Sequence, residues 1–141
     1  MAGLSGALAA SDGDIAFSVV IPAFNAGRYV ERAIQSVLLT RTSNVEVIVV
    51  DDGSTDETPA VVASFGDCVR VIRQENQGLA AARNVGIHAA RGVYIALLDA
   101  DDEWTPAFFP AMRKLIARTP GACAYYGAAA LIDADGRTLP Q

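Results

Sequence analysis

The chain has 141 residues, enough for one domain with a substantial core and too few for two of ordinary size. Eleven Lys and Arg stand against sixteen Asp and Glu, a net charge of −5, which excludes the diffuse positive field that nonspecific nucleic-acid binding requires. Cys68 and Cys123 lie far apart and neither belongs to a CxxC pair, so neither a zinc site nor a disulfide scaffold is expected, and a reducing, cytoplasmic setting fits best, with a position peripheral to the membrane as the alternative.

Residues 1–16 are small and weakly patterned and read as a flexible N-terminal extension, with the folded part, 17–141, starting at Phe17. No apolar stretch reaches the ~18 residues of a spanning helix, and no basic n-region marks a secretory signal. The β-branched run 17–21 predicts a first strand, and Val30, Ala33, Ile34, Val37 and Leu38 then form a helical stripe. A second strand is expected over 45–50. After it, Ser54 and Glu57 have capping-box spacing, Pro59 falls in a first turn and Gly66 follows the last apolar residue, which predicts a helix over about 56–65. Residues 69–72 read as a third strand. The Ala-rich segment 79–90 reads as a helix whose central Gly86 lets it pack closely on a sheet. A fourth strand is expected over 93–98, a helix carrying Phe108, Met112, Leu115 and Ile116 follows, and 122–131 predicts a fifth strand. Asp135-Gly136 reads as a turn. This alternation predicts an α/β fold, a Rossmann-like, mostly parallel sheet with helices on both faces.

Ligands of such sheets sit beyond the carboxyl ends of the strands, where strand order reverses. If the first and fourth strands flank that point, Pro22-Ala23-Phe24-Asn25 and Asp99-Ala100-Asp101-Asp102 share a crevice, with Asp51-Asp52-Gly53-Ser54 beside them. Several carboxylates at one strand end repel one another, and Mg2+ or Mn2+, which takes one or two carboxylates together with substrate phosphates, would relieve that cost. The ordinary alternative is an acidic cap for the helix that follows Trp104. Asp51 or Asp52 is suited to accept a hydrogen bond from a nucleobase edge; ordinary turn and N-cap chemistry explains the same residues. Arg83, on the helix after Asn76-Gln77-Gly78, can reach a phosphate or pair with a cluster carboxylate, or lie on the surface. His88, the only histidine, is assigned a solvated or packing role. No Gly-x-Gly-x-x-Gly, P-loop or EF-hand pattern is present.

Four blocks, residues 19–25, 49–56, 76–84 and 97–102, occur in the order and spacing of the family-two inverting glycosyltransferases, which the chain resembles from Phe17 onward. The resemblance implies a GT-A-type nucleotide-diphospho-sugar transferase fold whose C-terminal part is missing here. It implies that Pro22 and Ala23 line the base and ribose pocket, that Asp52 contacts the base, and that Asp99 and Asp101 match the DxD, Asp99 near the ribose or metal and Asp101 at the metal-bound diphosphate. Asp102 remains an alternative to either, Arg83 a helper at the diphosphate, and Glu31 a structural acid. The implied function is transfer of a hexosyl or similar group from a nucleotide-diphospho-sugar, a UDP-sugar foremost, to an acceptor hydroxyl with inversion, as in cell-wall or polysaccharide biosynthesis. No residue matches the family's general base, so the chain reads as the donor-binding half. The alternatives are a non-catalytic nucleotide-sugar-binding domain and a haloacid-dehalogenase-type phosphatase with Asp99 as nucleophile and Asp101 as acid.

Overall fold

The computed structural model describes residues 16–133 and 135–139. The extension expected over 1–16 lies outside these apart from Ala16, which is buried and donates its N–H to the Asn44 carbonyl at 2.8 Å. The described residues form two compact units that part between Phe109 and Pro110.

The first unit is built on a parallel sheet. Strands β1 (Phe17–Ala23), β2 (Val45–Asp51), β3 (Arg70–Arg73) and β4 (Tyr94–Leu97) lie in the order β3-β2-β1-β4. Every residue of β1 is buried, because it has a strand on either side and a helical layer on each face. Helices α1 (Val30–Leu38) and α2 (Thr58–Ala63) connect strands that step one way across the sheet, and α3 (Leu79–Ala89) connects β3 back past β2 and β1 to β4. Right-handed crossovers in opposite directions place α1 and α2 on one face and α3 on the other. The expected mostly parallel α/β sheet with helices on both faces is therefore present, with four strands among the described residues. Helix α4 (Phe108–Arg118) follows β4 in sequence.

Packing explains which helix goes where. The buried side chains of α1 are Val30, Ala33, Ile34, Ser36 and Val37, one stripe at helical spacing. On α3, Ala82 packs with Ile48 and Val50, and Gly86 sits so close to β1 and β2 that a Cβ there would overlap Val20 Cγ1 and lie 3.2 Å from Val50 Cγ2. Phe109 is fully buried and meets Phe17 edge-on at 5.1 Å, while Trp104 stacks on Phe108 at 3.7 Å. Among the described residues β4 is an edge of the sheet, and Ile95 and Leu97, on one face of it, are 44 % and 48 % exposed despite the apolar sequence.

Two expectations fail. The capping box does not form: α2 starts at Thr58, its N-cap Glu57 makes no side-chain cap bond, and the Thr58 N–H goes to Asp56 Oδ1 at 2.9 Å. Ser54 lies three residues before the N-cap position and its hydroxyl is used elsewhere. Nor is 122–131 a strand. Strand backbone is satisfied only by a neighbouring ladder, and in the second unit the described residues show a single antiparallel bridge, Ile132 to Thr138. That bridge closes over the predicted Asp135-Gly136 turn, where Asp133 Oδ1 accepts the N–H groups of Asp135 and Arg137. No helix among the described residues is long and apolar enough to cross a membrane.

Candidate functional site

Strand order reverses between β1 and β4, so the loops after these two strands are neighbours and the loop after β2 lies beside that of β1. Pro22 and Ala23 form the buried end of β1, and the Asp52 N–H continues the ladder by donating to the Ala23 carbonyl at 2.8 Å. Beyond Ala23 the chain turns through Asn25, whose φ of 47° is a left-handed conformation that Asn tolerates better than most residues. Three successive N–H groups ahead of α1 are then satisfied by side chains of the next loop. Asn25 donates to Ser54 Oγ at 2.9 Å, Ala26 to Thr58 Oγ1 at 2.8 Å and Gly27 to Asp56 Oδ2 at 3.0 Å. Asn25 Oδ1 returns the contact by accepting from the Thr55 N–H at 2.9 Å. The two loops are thus joined into one rigid wall, a role for Asn25, Ser54, Asp56 and Thr58 that no periodicity or short-range motif reveals. Glu31 and His88 are outside it: Glu31 accepts from Gln35 on its own helix and His88 Nδ1 lies 2.7 Å from the Asn84 carbonyl.

The paired aspartates have different partners. Asp51 is buried; its Oδ1 accepts the Ser54 N–H at 2.9 Å, and Arg73 Nε stands 3.4 Å from Oδ2 while Arg73 Nη2 donates to the Ser54 carbonyl at 3.1 Å. It closes the turn after β2. Asp52 accepts from Gln74 Nε2 at 2.6 Å, the Gln77 N–H at 3.0 Å and the Gly78 N–H at 2.8 Å. Burial pushes the Asp52 carboxyl up, and the donors of Gln77, Gln74 and Gly78 together outweigh it and hold the carboxyl below its ordinary value. The Asp56 carboxyl is also lowered, chiefly by the Thr58 hydroxyl.

Depressed folded values mean that these two carboxylates stabilise the fold fully above the unfolded value near 3.8 and lose that contribution as pH falls through the folded values. Melting temperature is therefore expected to fall on acidification below about pH 4, and the fall should be shallower in Asp52→Asn. Parallel acid profiles for the two proteins would show that Asp52 contributes none of it.

After β4, Asp99 is paired with Arg83 of α3, Nη2 to Oδ1 at 2.5 Å, so the fork of Arg83 takes the carboxylate option. Arg83 Nε is buried with no hydrogen-bond partner. Asp101 and Asp102 are exposed, and the Asp102 N–H donates to the Asp99 carbonyl at 3.0 Å. Desolvation first, then the charges of Asp101 and Asp99, raise the Asp102 carboxyl, the signature of acids crowded at one place. Glu103 turns away to an ion pair with Arg32 of α1. Among the described residues no three acidic, His or Cys side chains converge at ligating distance. One or two hard carboxylates fit a divalent ion that completes its shell with substrate oxygens and water, so the donor set suits Mg2+ or Mn2+ held jointly with a diphosphate.

The family model described as Glycosyl transferase family 2 matches residues 18–139. The chain belongs to that family. A relative in Rhizobium meliloti, the succinoglycan biosynthesis protein ExoO, is 43 % identical over 130 residues, 89 % of this chain and 36 % of that protein. Glycosyltransferase GlyG of Streptococcus pneumoniae is 44 % identical over 89 residues, 60 % of this chain and 30 % of GlyG. Among solved structures, S. aureus TarS 1-349 superposes with a TM-score of 0.65 at 28 % identity, covering 73 % of this chain and 32 % of that one. The same protein in complex with UDP gives 0.61 at 25 % identity, covering 73 % and 32 %. The chain spans about a third of the length of these relatives. Membership of family 2 decides against the phosphatase alternative.

Proposed function

We propose that this chain forms the donor site of a family-2 glycosyltransferase and binds a nucleotide-diphospho-sugar, a UDP-sugar foremost. The observation that carries the reading is the Arg83–Asp99 pair at the reversal of strand order, with exposed Asp101 and Asp102 next to it. Pro22 and Ala23 would wall the base and ribose, and Asp52 would accept from the base. Asp99 and Asp101 would hold Mg2+ or Mn2+ against the diphosphate; that ion supplies the positive charge that stabilises a departing diphosphate. Arg83 would contribute a fixed guanidinium to the same phosphates. TarS, a structural neighbour, has been crystallised with UDP, which supports the uracil assignment.

In the transfer proposed, an acceptor hydroxyl oxygen bonds to the anomeric carbon as its bond to the diphosphate oxygen breaks. The electron pair leaves with the nucleotide diphosphate and the configuration inverts. The hydroxyl proton must pass to a general base within hydrogen-bond reach, and Pro22, Ala23, Asp52, Arg83, Asp99 and Asp101 are each assigned another role. Binding and turnover are therefore expected to separate. Titration calorimetry of the chain with UDP and UDP-sugars should show binding that strengthens with Mn2+, while a broad acceptor panel should give little or no sugar release. Robust transfer by the chain would overturn the separation, and a folded sample that binds no nucleotide would overturn the donor site.

A further inference from the structure

Asp52 is the side chain assigned to the base, yet in the free protein it has little left to offer. It is 2 % exposed, Oδ1 already accepts from Gln74 Nε2 and the Gln77 N–H, and Oδ2 from the Gly78 N–H. A carboxylate has about four lone-pair sites, so most are filled. Two of the three donors are backbone groups fixed by the course of the chain into α3. Gly53, at φ +79°, lets that segment close: a Cβ on it would lie 2.9 Å from Asn76 N and 3.3 Å from the Gln74 carbonyl. The third donor differs in kind. Gln74 is partly exposed, and its own N–H is tied to the Asp51 carbonyl at 3.0 Å, so its amide can swing about side-chain torsions while the backbone stays bonded.

We propose that the Gln74 side-chain amide is a placeholder for the nucleobase: it fills the Asp52 Oδ1 position when no nucleotide is bound, and a base N–H displaces it. The inference rests on the reading of Asp52 as the base contact. The group that leaves and the group that arrives are alike, an amide-type N–H on a carboxylate, so the exchange keeps a buried charge paired throughout, and an unpaired one would be costly. The consequence is selectivity. A base edge that presents an N–H, of which the uracil imide is the simplest, can take the place of the amide. An edge that presents an acceptor there meets a carboxylate oxygen, is repelled, and leaves Gln74 where it is. Gln74 thereby determines specificity by being the competitor that a base must outbid.

The test is Gln74→Met, similar in length but without the donor, with UDP affinity measured in Mn2+ and inorganic pyrophosphate as a base-free probe. Loss of the competing bond to a charged group is expected to tighten UDP binding about tenfold. Pyrophosphate binding should not change, and in an Asp52→Asn background the effect of Gln74→Met on UDP should disappear. The nucleotide-free melting temperature should drop, and UDP should raise it by more than in the wild type. Gln74→Ala, which leaves room for water beside Asp52, is expected to act in the same direction and serves where the Met variant does not fold. Unchanged or weaker UDP binding by a folded Gln74 variant would overturn the placeholder. A folded Asp52→Asn protein that binds UDP as the wild type does, with pyrophosphate binding intact, would overturn the base contact beneath it.

Discussion

Gly86→Val is expected to destabilise the first unit by about 3 kcal/mol or more and to lower the melting temperature by roughly 10 °C. Gly86 lies in the middle of α3, where glycine is intrinsically about 1 kcal/mol worse than alanine, so local propensity alone predicts that a side chain would help. Packing reverses the sign. A Cβ would overlap Val20 Cγ1 and press on Val50 Cγ2, and both side chains belong to the two central strands, which are closely packed and fully buried at these positions. Relief requires α3 to lift from the sheet, which carries Arg83 away from Asp99. Ala80→Val, on an exposed position of the same helix, controls for propensity and should cost less than about 1 kcal/mol. Equal losses in the two variants by thermal denaturation would show that the close approach of helix and sheet contributes nothing.

Asp101→Asn is expected to lower UDP affinity by about 10- to 100-fold in the presence of Mn2+ and to leave it nearly unchanged without metal. The substitution keeps size and shape and removes only the charge. Changes to groups behind a metal ligand already cost about 10- to 100-fold in metal affinity, so loss of the carboxylate proposed to ligate the ion should cost at least as much. Asp101 suits this test because it is exposed and outside the packed core, so a folded variant is expected. The raised Asp102 carboxyl adds a second readout: with one fewer negative charge beside it, its titration should move down toward the ordinary value. An equal loss of UDP affinity with and without Mn2+ would place Asp101 outside the metal contact.

Most of the secondary structure was legible because its causes are local. Val19, Val20 and Ile21 are β-branched and buried as a strand, and the three- and four-residue spacing of Val30, Ala33, Ile34 and Val37 is the buried stripe of α1. The places where local patterning failed share a cause. Ser54 and Glu57 have capping spacing, but the Ser54 hydroxyl is taken by the Asn25 N–H, 29 residues away. The run 122–131 has strand composition, but no ladder partner is described for it, and a strand is a property of two segments.

Residue type and spacing alone set the alternation of strands and helices, the acidic ends of the second and fourth strands, and the four blocks in which the family is recognised. The elements depend on residue type and local periodicity, and the blocks on their order along the chain. Folding settles what such patterns leave open: that β1 and β4 are neighbours, that Arg83 pairs with Asp99, and that Asp51 closes a turn whereas Asp52 grips the loop ahead of α3. The two aspartates are adjacent and chemically identical, and successive residues at a strand end point in different directions. Which one meets Ser54 and which meets Gln74, Gln77 and Gly78 follows from the parallel pairing of β2 with β3, a contact between segments some twenty residues apart that no local pattern encodes.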